Sequence, residues 1–63
     1  MSIAENIRTI RKESGMSQAE VGARLGITGS MINQIERGTK TPSLALSKEL
    51  ADIFGCKVED FLK

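Results

Sequence analysis

The chain has no histidine, no tryptophan and no tyrosine, and Cys56 is its single cysteine. Structural zinc sites are assembled from Cys and His, so a metal centre and an internal disulfide are both excluded. A lone thiol suits a reducing compartment, and a cytoplasmic location is expected. Catalysis has little to work with. There is no imidazole, no pair of carboxylates in a plausible pocket, no phosphate-cradling glycine loop and no base to serve Cys56, so an enzyme is not expected. No apolar run reaches the roughly 18 residues of a membrane span. No basic segment leads into an apolar stretch at the N-terminus, so neither a membrane anchor nor a secretion signal is read. No cofactor and no small-molecule ligand is called for.

What is present fits one small domain over residues 1–63. Hydrophobic content is 40%, enough for a core, and stability must come from packed helices or a second copy of the chain. The formal net charge of +1 names no partner. Residues 1–42 hold six basic against four acidic side chains and residues 43–63 three against four, an asymmetry too mild to argue nucleic-acid binding.

Five helical segments and no strand alternation are expected, an all-α bundle. Ile3, Ile7 and Ile10 make one apolar stripe, closed by Ser14-Gly15. A second helix, about 17–25, opens on the capping box Ser17-x-x-Glu20, with Met16 and Val21 placed as a hydrophobic staple. Gly26 ends it. A third, about 28–37, is capped by Thr28, turns Ile32 and Ile35 inward and stops at Gly38. A fourth begins near "TPS", with Pro42 in its first turn, and runs to Gly55; "KVEDFLK" is a short last helix. The very short link between the second and third helices forces a steep crossing, for which Gly22 supplies the minimal side chain and Gly26 the turn.

The third segment, "ITGSMINQIERG", has an unusual outer face. Asn33 and Gln34 are amides where solvated helix surfaces usually carry charge. Here the sequence resembles the helix-turn-helix family of the lambda-type phage repressors and Cro proteins, also called the Xre family. The resemblance runs through "IRTIRKESGMSQAEVGARLGIT", "INQIERGTKTPS" and "LADIFGCKVEDFL", nearly the whole chain.

That resemblance implies double-stranded DNA as partner, with the third helix in the major groove of a prokaryotic or phage operator. It places Gly29, Ser30, Asn33 and Gln34 at base-contacting positions. Amides pair bidentately with adenine, and serine serves several bases. Gly29, without a side chain, either weakens readout at its position or lets the helix sit closer. Phosphate contacts are implied for Gln18, Thr28, Arg37, Thr39, Lys40 and Thr41; such contacts set register and carry no sequence information. Arg11 and Glu36 match a pair that joins the first and third helices in many members.

The remaining residues read more plainly. Arg8, Lys12, Arg24 and Lys48 are solvated helix faces, Cys56 is core, and Met31 is half exposed. The apolar arc of the fourth helix is wider than one small core needs, so Leu46, Ile53, Val58, Phe61 and Leu62 are expected to contribute to a homodimer interface. The expected function is a sequence-specific transcriptional regulator, a repressor that binds a pseudo-palindromic operator as a dimer. The alternative is a protein-interaction module on the same fold, such as an antitoxin or antirepressor partner.

Overall fold

A computed structural model describes residues 2–63. It contains four α-helices, α1 (Ile3–Glu13), α2 (Gln18–Leu25), α3 (Gly29–Glu36) and α4 (Leu44–Phe54), followed by a 3-10 turn, Val58–Phe61. The expected fifth helix is therefore one turn of 3-10 helix. Gly55 in the left-handed conformation stops α4, and beyond Lys57 the bonds run from the Asp60 N–H to the Lys57 carbonyl at 2.9 Å and from the Leu62 N–H to the Glu59 carbonyl at 3.0 Å, the three-residue spacing of a 3-10 turn. No helix among the described residues is long and apolar enough to cross a membrane.

Each helix starts on a hydroxyl. Ser17 Oγ accepts the Glu20 N–H at 3.0 Å while Glu20 Oε1 accepts the Ser17 N–H at 3.0 Å. Ser2 and Glu5 form the same reciprocal box at the head of α1, a second S-x-x-E that the sequence reading passes over. Thr28 caps α3 and Ser43 caps α4. Pro42 thus stands just before the cap, not inside the first turn. Its fixed φ suits either place, and the Ser43 hydroxyl, which can accept the Leu46 N–H, decides the start.

The caps leave a signature in acid. The backbone N–H of Ser17 holds the Glu20 carboxyl below its ordinary range, and Ser2 does the same to Glu5 and Lys57 to Asp60. The ionised form is the one bound in the folded chain. Its contribution is present above the ordinary Glu value of 4.5 and is lost as pH falls from there through the lowered folded value. Glu20→Gln keeps an acceptor for the box but cannot titrate. Its melting temperature is expected to fall less steeply than that of the wild type on acidification below that value; equal slopes in thermal melts would remove Glu20 from the acid response.

The core is Ile7, Val21, Ile32, Ile35, Leu50, Ala51 and Phe61, contributed by all four helices and the 3-10 turn. Phe61, expected on a dimer face, is 1% exposed and belongs to this core. It meets Phe54 edge to face, with centroids 6.4 Å apart. The buried Asn6 amide holds it there by donating to the carbonyls of Phe61 and Lys63, both at 2.8 Å. Leu46 and Val58, also expected at an interface, are half-buried against the core. Ile53 is half-buried outside it, while Leu62 and Leu44 stand in solvent. Cys56 packs against the core, and burial pushes its thiol pKa up, so it stays a protonated, weakly reactive group.

Candidate nucleic-acid interface

Only Gly26, Ile27 and Thr28 separate α2 from α3. Gly26 takes φ of 72°, the left-handed conformation that reverses the chain after a helix. The Ile27 N–H then returns to the Gly22 carbonyl at 2.9 Å, and Thr28 opens α3. So short a link presses the two helices together, and a glycine on each side makes the approach possible. A Cβ on Gly22 would lie 2.7 Å from the Ile27 carbonyl oxygen, 2.8 Å from Thr28 C and 2.9 Å from Gly29 N. A Cβ on Gly29 would lie 3.1 Å from Ala19 Cα and 3.2 Å from Ala19 N. Gly29, expected among the base contacts, therefore faces the backbone of α2.

Val21, Ile32 and Ile35 bury the inner sides of α2 and α3. Because Ile32 and Ile35 point inward, the periodicity of the helix turns Ser30 and Gln34 outward, and both are exposed. They lie four residues apart on one stripe. Asn33 is half-buried and lies on the neighbouring stripe with Arg37.

Behind this surface, α3 is locked to α1. The Arg11 guanidinium donates from Nε to Glu36 Oε2 at 2.6 Å and from Nη2 to Glu36 Oε1 at 3.1 Å, a bidentate pair in which both side chains are buried. A third guanidinium nitrogen, Nη1, donates to the Met16 carbonyl at 2.8 Å. Gln18 Nε2 donates to Glu36 Oε1 at 3.1 Å. Gln18, expected to contact phosphate, thus has one amide proton committed to this network and one to offer. Among the described residues no buried side-chain nitrogen or oxygen lacks a partner.

The phosphate positions divide in the same way. Thr28 Oγ1 accepts the Met31 N–H at 3.1 Å, so its own proton is available to an anion. Thr39 donates its hydroxyl to the Gln34 carbonyl at 3.1 Å, and the Thr39 and Lys40 N–H groups converge on the same oxygen. Thr39 therefore closes the loop at the end of α3. Arg37, Lys40 and Thr41 are exposed beside it. Ser30 and Gln34 are exposed on α3, Gln18 at the head of α2 and Arg37 line one cleft beside them, and Lys40 and Thr41 are exposed in the loop that follows.

Known proteins share this frame. A family model described as helix-turn-helix matches residues 7–61. The chain is 45% identical over 49 residues to the uncharacterized HTH-type transcriptional regulator y4dL of Sinorhizobium fredii, an alignment covering 78% of this chain and 25% of that protein. It is 35% identical over 54 residues to an uncharacterized HTH-type transcriptional regulator of Archaeoglobus fulgidus, covering 86% of this chain and 77% of the relative. To the uncharacterized HTH-type transcriptional regulator YazB of Bacillus subtilis it is 35% identical over 54 residues, covering 86% and 78%. The chain thus spans a quarter of the first relative and about three quarters of the other two. With two glycine-seated helices, an α3 braced through Glu36 and this match over most of its length, the chain belongs to the lambda-repressor-like (Xre) helix-turn-helix family, whose members named here are transcriptional regulators.

Proposed function

We propose that this chain is a sequence-specific DNA-binding regulator that acts as a repressor, occupying a pseudo-palindromic operator as a homodimer. The observation that carries the DNA reading is the α3 surface. Ser30 and Gln34 form an exposed polar stripe on a helix whose opposite side is fixed by buried Ile32 and Ile35 and by the Glu36 network. The major groove offers a different donor and acceptor pattern for each base pair, and a glutamine amide matches adenine with two hydrogen bonds. Gln18, Thr28, Arg37, Lys40 and Thr41 hold the phosphates, and Thr39 shapes the loop after α3 that presents the last three of them. A dimer presents two such helices one DNA turn apart. Leu62 and Leu44, 62% and 66% exposed, and the half-buried Ile53 lie outside the core and serve that contact; Ile3, 43% exposed, is a further apolar side chain in solvent.

The test is selection from a random duplex library, with the bound sequences read out. A palindromic motif with half-sites about one helical turn apart supports specific readout by a dimer. No enrichment over random DNA removes the reading and turns the search to a protein partner. Gln34→Ala is expected to lose about 1–3 kcal/mol on the selected site and to relax one base position of the motif. An unchanged motif and affinity would take Gln34 out of the reading stripe.

A further inference from the structure

A cleft of about 490 Å³ opens beside the reading stripe, between α1, the head of α2 and α3. Six residues line it, Arg8, Arg11, Gln18, Asn33, Glu36 and Arg37, and every one is polar or charged. Its charge balance is not what the composition suggests. Glu36 is neutralised by the bidentate Arg11 and receives Gln18 as well. Arg8 and Arg37 have no ion-pair partner among the described residues. The cleft therefore has two uncompensated guanidinium groups and two side-chain amides around a wall that is neutral overall. Gln18 also stands at the first position of α2, where the helix dipole favours an anion.

We infer that this cleft seats one backbone phosphate of the DNA, held by Arg8 from α1, Asn33 from α3 and Arg37, the residue that caps the end of α3. The inference rests on the DNA-binding reading and refines it in two ways. Arg8, a solvated residue by its sequence position, becomes a phosphate ligand. Asn33, which the resemblance groups with the base readers, becomes a backbone ligand. Successive residues of a helix diverge by about 100°, so Asn33 and Gln34 cannot both face the groove floor squarely. Asn33 shares its stripe with Arg37, four residues on, and that stripe lines the cleft. Gln34 shares its stripe with Ser30 and lies outside it. One edge of α3 reads bases while the adjacent edge clamps the strand. Arg8 brings the charge from a different helix, so the phosphate is held from both sides and the angle of α3 to the DNA axis is set.

The experiment uses the duplex recovered by library selection and a random duplex of the same length, with affinities measured by fluorescence anisotropy from 50 to 200 mM salt, a range over which phosphate contacts are read as a slope. Arg8→Ala is expected to weaken binding to both duplexes by about tenfold, the scale of one charge-assisted hydrogen bond. The log–log salt slope is expected to become shallower by about 0.9, one phosphate. Arg8→Lys restores the slope. Asn33→Ala weakens both duplexes alike and returns the wild-type motif when the selection is repeated. Arg8 is exposed, so its variants keep the fold, and thermal melts check this. Unchanged affinity and slope for Arg8→Ala overturn the phosphate seat while leaving the regulator reading intact. A changed motif for Asn33→Ala overturns the division of α3 into two edges. If the wild-type chain selects no sequence and binds no duplex, both readings fall together.

Discussion

Gly22→Ala is expected to remove most of the stability of this domain, although alanine is the best helix former and glycine among the worst. Propensity alone predicts a gain of about 1 kcal/mol for this change inside a helix. The geometry reverses the sign. The new Cβ would sit within 2.9 Å of three backbone atoms at Ile27, Thr28 and Gly29, which form the turn and the first residue of α3. No side chain can rotate aside, because the obstacles are main chain, so α3 as a whole must move away from α2. Overpacking of this kind costs about 1–3 kcal/mol and occasionally more, and contacts this close to rigid backbone belong at the top of that range. A domain of this size has only about 3–5 kcal/mol in total. Urea unfolding followed by circular dichroism is expected to show a midpoint near zero denaturant, or no native signal. Ala23→Gly, one residue on and exposed, supplies the contrast. It should lose only the propensity difference of about 1 kcal/mol. A Gly22→Ala variant that melts at or above the wild-type temperature would mean that the α2–α3 seat is soft, and that Gly22 has no architectural role.

The clash at Gly22 also marks where sequence reasoning succeeds and where it stops. Signals that act within four or five residues were legible. Ser17-x-x-Glu20 named a cap because hydroxyl, carboxylate and two N–H groups are all local. Gly26 named a turn because its φ is positive there. The inward Ile32 and Ile35 followed from helical period, and they in turn fixed which face of α3 looks outward. Contacts between distant positions were legible only through family resemblance, as for Arg11 and Glu36. Where that failed, the residue looked ordinary. Nothing near Asn6 announces that its amide reaches the carbonyls of Phe61 and Lys63, and without that clamp Phe61 reads as surface. The resemblance places Gly29 at the DNA by its position in a motif, and the direction of its missing Cβ, toward Ala19, depends on how two helices cross. By place Gln18 and Thr39 match phosphate contacts; that Gln18 also donates to Glu36 and Thr39 to the Gln34 carbonyl is set by packing between elements and is not written in either residue's own neighbourhood.

Truncating Glu36 tests the bracing of the reading helix directly. Glu36→Ala leaves the Arg11 guanidinium, 10% exposed by side chain, in a site built to hold a carboxylate. Breaking a buried pair by removing one partner costs about 3–5 kcal/mol, because an unpaired charge remains out of water. Arg11→Ala is expected to fall in the same range, and it also deprives the Met16 carbonyl of its donor. The double variant Arg11→Met with Glu36→Leu is expected to be more stable than either single truncation, since no buried charge is left. The single variants Arg11→Met and Glu36→Leu close the cycle with the double variant and the wild type, and thermal melts of these four proteins give the coupling. Additive losses, with the double variant the least stable, would mean that the two side chains act independently and that the 2.6 Å contact contributes little. DNA affinity then separates stability from alignment. The folded double variant keeps its core but lacks the pair that ties α3 to α1 and the acceptor that orients Gln18. If rigid placement of α3 matters for readout, that variant binds the selected duplex more weakly than the wild type while its affinity for random duplex changes less. Equal losses on both duplexes would assign the pair to the phosphate cleft that it lines, with no separate part in base readout. The distinction follows from its position, since Arg11 and Glu36 lie behind the reading stripe and can affect base recognition only by setting where Ser30 and Gln34 stand.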